Sequence, residues 1–435
     1  MNNKNNNNNN LMFNEKIMKV PDGAMILPDN EYYGLNSDET HVNNNVLVCG
    51  VSGSRKTTIT LVPNILEGHG SYLVADPKSR IYKEYAQYMT HLGYKVIRVS
   101  FTNPELSCRY NPLAYIKRTS DIQKITYNFI SKKSIKSDAY WDDCSTFLIN
   151  SVISYVHEIK DEYPEMCTIP CVIELLRQCG RPNSEIKECA YSRLLQKHSL
   201  YYPNSWAVKQ YENIAQAPNK TYDTIVSNAL SKFSMYDTEE MVDFLSGNDI
   251  DFKELGQTPT ILFVEVSDTD RSLENIVNLF FSQAISELCN YADGFKDGEL
   301  PCPVRIMFDD FPSIHIKDID VAISNIRSRK ISLFLTIQNF AQLKQEYGES
   351  AETIIDNCDT LIFTGTNSPE TARQIGYRCN KSIDTILHMP VNHSWIFRRG
   401  SKPKLVENFD LNEYMEDKHK IYGILQKKED LQTDI

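Results

Sequence analysis

Short apolar runs closed by a small or polar residue punctuate the first quarter of the chain: Val46–Gly50 (VLVCG), Ser71–Asp76 (SYLVAD) and Tyr94–Ser100 (YKVIRVS). Runs of this length, rich in Val, Ile and Leu, read as buried strands. Between them, Lys56–Leu66 and Tyr82–His91 read as helices. Strand–helix alternation predicts a parallel sheet joined by crossover connections. The pattern changes near Pro112, and from there to about Phe244 the chain reads as helical. Asp121–Ile130 and Trp141–Glu158 are the plainest segments. The second spaces Phe147, Leu148, Ile149, Val152, Ile153 and Val156 as one face, a core stripe and not a cofactor box. Alternation returns at TILFVEV (260–266), VRIMFDD (304–310), ISLFLTIQ (331–338), TLIFTG (360–365) and SWIFRRG (394–400).

The expected architecture is therefore an α/β domain, residues 41–112 and 251–412, into which an all-α domain, residues 113–250, is inserted. Residues 1–40 hold an Asn-rich tract (MNNKNNNNNN), expected to be disordered, and a turn-rich segment with room for short β pieces. Residues 413–435 are expected to form a mobile charged tail.

Composition narrows the function classes. With 41% hydrophobic and 24% charged residues, most of the chain should fold. A net charge of -11 excludes a protein that coats nucleic acid by bulk attraction, so any DNA contact must use local patches or a pore lining. The eleven cysteines contain no CxxC pair. Cys167 and Cys171 lie closest, without a His to complete a zinc spacing, so reduced thiols in a cytoplasmic protein are expected. His388 and His393 flank Pro390 and do not share a helix face, so no metal pair is expected there. The chain opens without a secretory signal pattern, and its apolar runs are too short to cross a bilayer.

The chemistry concentrates at two places. Gly50-Val-Ser-Gly-Ser-Arg-Lys-Thr57 follows a strand and opens a helix, the context a phosphate-binding loop requires. Gly50 and Gly53 let the backbone N–H groups turn toward phosphate oxygens, Lys56 neutralises the outer phosphates, and Thr57 holds Mg²⁺. Ser54 and Thr58 belong to the same candidate cradle for ATP. Arg55 stands where the pattern has its last glycine. Its side chain either crowds the loop or adds positive charge beside the phosphates. Downstream, Ile306-Met-Phe-Asp-Asp310 is an apolar strand ending in two carboxylates. Asp309 is the candidate metal acid, and Asp310 the acid that polarises an attacking water. An Asp pair at a strand end is by itself an ordinary turn or cap; the upstream loop makes the catalytic reading the better one.

In order, VLVCGVSGSRKT, GSYLVADPKS, CRYNPLAYI, IMFDDF, IRSRKISLFLTIQNFAQLKQEYGE and IIDNCDTLIFTG resemble the TraG/TraD-type coupling proteins of Gram-positive mobile elements, over about residues 40 to 412. The resemblance implies a RecA-like P-loop NTPase core with an inserted all-α domain. It also implies a hexameric ring at the inner face of the cell membrane that recognises a relaxase–DNA complex and uses ATP to drive DNA into a type IV secretion channel. Lys56 and Thr57 match the phosphate-loop pair, Asp309 and Asp310 the metal-site acids, and Gln338 the glutamine that senses the γ-phosphate. Arg329 resembles the arginine given to a neighbouring subunit, with Arg327 as the alternate.

Three departures stand out: Arg55 for Gly, Asp310 for the usual Glu, and Asp76-Pro-Lys-Ser-Arg80 for a DPKGE-like run. Asp310 falls roughly an ångström short, a misplacement that can lower a rate by about 10²-fold. Many relatives begin with membrane helices, which makes a separate membrane subunit an expected partner.

A basic stretch at 115–136 carries Lys117, Arg118, Lys124, Lys132, Lys133 and Lys136, with Tyr127 and Phe129 interleaved. Such a stretch either holds DNA phosphates and stacks bases or forms a solvated helix face with its aromatics inward. Phe397-Arg398-Arg399-Gly400 either lines a pore or makes a basic turn. Two functions are open: a DNA-translocating ATPase, or a catalytically impaired nucleotide-binding adaptor of the same fold. A small-molecule P-loop enzyme ranks below both, because no further cluster of acid, base and nucleophile is present.

Overall fold

The computed structural model describes residues 23–130, 139–181 and 188–416. The expectations for residues 1–22, for Lys132, Lys133 and Lys136, and for the tail beyond Glu416 fall outside these.

The turn-rich start forms an antiparallel pair, β1 (Ala24–Ile26) and β2 (Tyr32–Gly34), with Met25 opposite Tyr33. The main sheet has nine strands: β3 (Val46–Cys49), β4 (Ser71–Asp76), β5 (Lys95–Ser100), β6 (Thr260–Glu265), β7 (Val304–Phe308), β8 (Ile331–Ile337), β9 (Thr360–Phe363), β10 (His393–Arg398) and β11 (Lys404–Glu407). Its order is β11-β10-β9-β3-β8-β7-β4-β6-β5. From β9 to β5 every pairing is parallel, and β10 and β11 add an antiparallel margin.

Alternate residues of each strand feed opposite layers. Leu47, Cys49, Leu73, Ala75, Ile306 and Phe308 join one core, while Val46, Val48, Tyr72, Val74 and Met307 join the other. With both faces covered, the strands must be apolar throughout, which is why they read as unbroken runs. β11 escaped the sequence reading because it is a polar edge strand whose residues alternate between half-buried and exposed.

Between β5 and β6 the described elements are all helical, from Thr119–Ile130 to Glu239–Leu245 and the short turn Phe252–Gly256. The longest of them, Ala139–Glu158, buries Leu148, Ile149, Val152, Ile153 and Val156, with Phe147 half-buried beside them. All eleven cysteines are free thiols, and Cys49, Cys167, Cys179, Cys189, Cys302 and Cys358 are buried.

A parallel sheet places the C-terminal ends of its strands along one edge, where crevices for ligands form. Here that edge gathers the loops that leave β3, β7, β8 and β9.

Candidate nucleotide-binding site

The loop after β3 is pinned from both sides. Gly50 N–H donates to the Ile337 carbonyl at the end of β8 (3.1 Å), and Val51 N–H donates to the Gly365 carbonyl beyond β9 (3.2 Å). The hydroxyls of Ser54 and Thr364 lie 2.7 Å apart and close the loop against β9. Gly50 is required by contact: a methyl group there would stand 1.8 Å from Thr364 Oγ1. Gly53 is required by backbone, at φ +79°.

Arg55 stands in the left-handed region that glycine favours, at φ 64°. For a residue with a Cβ this costs roughly 1–2 kcal/mol. The side chain neither crowds the loop nor enters it: Arg55 Nη1 donates to Asn392 Oδ1 at 3.2 Å. The guanidinium stands on the outer flank of the loop.

Lys56 bends over the loop, donating from Nζ to the carbonyls of Gly50 (2.6 Å) and Val51 (3.0 Å). Burial lowers its pKa, against the opposing pull of Asp309, Cys49 and Asp310. The helix it opens begins as a π turn, Thr57–Leu61, before becoming α-helical at Val62–Leu66. Pro63 cannot donate a backbone hydrogen bond, and Asn64 Nδ2 donates to the Thr60 carbonyl (2.7 Å). Such π turns concentrate at functional sites. Thr58 Oγ1 donates to the Arg55 carbonyl (3.0 Å), so its hydroxyl is taken up by the backbone at the exposed start of the helix.

β7 delivers the acids. Thr57 Oγ1 lies 2.8 and 2.9 Å from the two carboxylate oxygens of Asp309. Burial pushes the Asp309 carboxyl up, with Thr57, Lys56 and Thr336 pulling it back. Asp310 sits beside it at φ 68°, its N–H held by Thr336 Oγ1 (2.8 Å). Burial and the Asp309 charge raise its pKa, opposed by Lys56, Arg271 and Gln342. Asp310 Oδ1 is buried without a hydrogen-bond partner. Gln338 leaves β8 on the same edge with an exposed side chain, its N–H donating to Gln342 Oε1 (3.3 Å).

The parts fit Mg²⁺ and a phosphate chain. Hard oxygen donors from Thr57 and Asp309 suit Mg²⁺. The pinned glycine loop and Lys56 suit phosphates, and the orphaned Asp310 oxygen is an acceptor that a ligand or its water would satisfy.

Arg329 is elsewhere. It precedes β8, at the opposite edge of the sheet, and pairs with Asp293 through Nε (2.7 Å) and Nη2 (3.1 Å). Arg327 donates to the Ser37 carbonyl at 3.0 Å. Neither joins Lys56 within one chain. Conversely, Thr364, Thr336, Asn392 and Arg271 border the site without having been singled out in the sequence, because each reaches it through a strand end or loop that only the folded sheet brings close.

The sequence profile described as "Type IV secretory system Conjugative DNA transfer" matches residues 2–383. The chain belongs to this family. It is 21% identical over 345 residues to the type IV secretion system-coupling protein VirD4 of Bartonella quintana (strain Toulouse), a match covering 76% of this chain. It spans about half the length of that relative, 52%. Among solved structures, the conjugative coupling protein TrwB in complex with sulphate aligns with a TM-score of 0.65 at 12% identity, over 91% of both chains. TrwB bound to the ATP analogue ADPNP aligns at 0.63 and 11% identity, again over 91% of both. VirB4 of Thermoanaerobacter pseudethanolicus aligns at 0.52 and 15% identity, over 90% of this chain and 98% of its own. These likenesses show the fold: a RecA-like P-loop α/β core carrying an all-α domain.

The described part of the basic stretch, up to Ile130, is divided by the fold. Phe129 is buried against Phe233 and Tyr236, so it offers no face to a base. Tyr127 stays outside, with Lys317 Nζ 3.9 Å from its ring centroid. Lys117 is bound to the buried Glu287 at 2.5 Å, and Lys124 to Asp121 at 3.4 Å. Together with Arg118 they border a cavity of about 740 Å³ between helices Thr119–Ile130 and Glu274–Ala292. The arginines at the end of β10 are also engaged: Arg398 stacks over Tyr33, and Arg399, in the turn that follows, pairs with Asp359 at 3.1 Å. No described helix is long and apolar enough to cross a membrane.

Proposed function

We propose that this chain is the ATPase that couples a relaxase–DNA substrate to a type IV secretion channel. The observation that carries the reading is the contact of Thr57 with Asp309 beside the loop Gly50–Thr57, in which Arg55 takes a left-handed backbone conformation. TrwB, similar in fold, is bound to ADPNP in one structure and to ADP and Mg²⁺ in another.

On this reading Thr57 and Asp309 hold Mg²⁺, whose charge offsets that developing on the phosphate oxygens. Lys56 exchanges the Gly50 and Val51 carbonyls for phosphate, Asp310 orients the attacking water, and Gln338 reads the γ-phosphate. Arg329, at the far edge of the sheet, serves the site of a neighbouring copy, so the working form is a ring. Residues 41–112 and 251–412 form the motor, residues 113–250 meet the cargo, and a membrane subunit anchors the assembly at the inner face of the membrane.

The test is ATP hydrolysis by the full chain with and without single-stranded DNA, alongside Lys56→Ala and Arg55→Gly. DNA-stimulated turnover that Lys56→Ala abolishes is expected. No turnover in the native chain, with activity appearing in Arg55→Gly, would instead make the protein a nucleotide-binding adaptor.

A further inference from the structure

The helix that Lys56 and Thr57 open is tied to β7 at two places. One is the contact of Thr57 with Asp309 at the site. The other is buried in the core, where Arg305 Nη1 donates to Asn64 Oδ1 at 3.2 Å. Arg305 belongs to β7, which ends beside Asp309, and Asn64 to the helical segment that follows the π turn Thr57–Leu61.

Asn64 is 2% exposed, and its side chain uses every hydrogen-bonding site it has. Oδ1 also accepts from Ile26 N–H (3.2 Å), and Nδ2 donates to the carbonyls of Ile26 (2.8 Å) and Thr60 (2.7 Å). Thr60 Oγ1 in turn donates to the Lys56 carbonyl (2.6 Å), so the link runs from β7 to the root of the phosphate loop. Of the bonds to the Asn64 side chain, the one from Arg305 is the one that comes from the acid strand.

Arg305 is 5% exposed and, among the described residues, pairs with no carboxylate. Burying a charge is costly, and an apolar residue of similar volume is often neutral or better for stability. Stability therefore does not account for Arg305, and the π turn supplies a reason for it. Val62 N–H reaches back five residues to the Thr57 carbonyl. Closing that turn to α geometry would rotate Thr57 by about 100° about the helix axis and take its hydroxyl from Asp309. Apolar contacts are non-directional, whereas an amide bonded at every site holds one rotation.

We propose that Arg305, acting through Asn64, is a positioning residue that holds the π turn in register and so keeps Thr57 on Asp309 for Mg²⁺. The inference rests on the nucleotide reading of the phosphate loop.

Titration calorimetry of ATP into the full chain, in Mg²⁺ and in excess EDTA, tests this beside thermal melts. Arg305→Met keeps the volume and removes the charge, so the melting temperature should hold or rise. The same variant should weaken ATP about 10-fold with Mg²⁺ and less than about twofold in EDTA. Arg305→Lys, which keeps the charge and a donor, should show a smaller Mg²⁺-specific loss. Asn64→Asp gives Arg305 a carboxylate but forfeits the bond to Thr60, and should show the Mg²⁺-specific loss independently. In a Thr57→Val background, Arg305→Met should add less than about twofold, because both act on one contact. ATP affinity unmoved by Arg305→Met and Asn64→Asp, an equal loss with and without Mg²⁺, or an undiminished effect in Thr57→Val would overturn the positioning role while leaving the phosphate site intact. Failure of the native chain to bind ATP with Mg²⁺ would overturn the nucleotide reading and the positioning role with it.

Discussion

Thr57 and Asp309, 252 positions apart in sequence, share a hydroxyl–carboxylate contact in which Thr57 Oγ1 lies within 2.9 Å of both Asp309 oxygens. The contact reaches across β8, which separates their strands in the sheet. It joins the phosphate loop to the acid strand.

That contact predicts a metal-specific defect. Thr57→Val should weaken ATP binding about 10- to 100-fold in the presence of Mg²⁺, and change it little in excess EDTA. Parallel titrations in the two buffers check this; an equal loss in both would remove Thr57 from metal binding.

Thr364 fills the space beside Gly50, so Gly50→Ala should destabilise the protein by about 1–3 kcal/mol through overpacking. Because the 1.8 Å contact is with Thr364 Oγ1, adding Thr364→Ala should recover part of the loss. Denaturant melts of the single and double variants read the coupling as non-additivity.

Asp310 must be ionised to orient water, and burial with the Asp309 charge raises its pKa. Turnover should therefore fall on the acid side as Asp310 loses its charge. Asp310→Asn should abolish turnover. Asp310→Glu, which extends the carboxylate by roughly an ångström, should raise it by about tenfold or more. A pH–rate series on the three proteins decides.

At the end of β6, Glu265 carries a stability prediction. Burial pushes its carboxyl up, but Arg98 at 2.8 Å and the hydroxyls of Thr102 and Ser100 outweigh that and hold it down at about 2, against an ordinary 4.5. Its contribution is complete above pH 4.5 and is lost as pH falls toward 2. Glu265→Gln should lower the melting temperature at neutral pH, and the gap from the native chain should close across that window.

Local pattern carried much of this protein. The apolar runs announced the strands because a sheet covered on both faces admits few polar residues, and the loop from Gly50 to Thr57 announced itself because phosphate binding needs a fixed spacing of residue types. Asp309 was expected to stand near that loop, and the structure places it against Thr57.

The tertiary structure decided what distance along the chain conceals. Strand order alone brought Thr364 against Gly50 and Thr57 to Asp309, and it sent Arg329 to the far edge. Whether Arg55 would spoil the loop depended on its backbone angle and on Asn392, 337 positions away, which draws the guanidinium outward. Phe129 and Tyr127 read alike in sequence, yet helix packing buried one and left the other exposed. A residue's type fixes the chemistry it can perform. Where its side chain points is set by partners that become neighbours only when the sheet assembles.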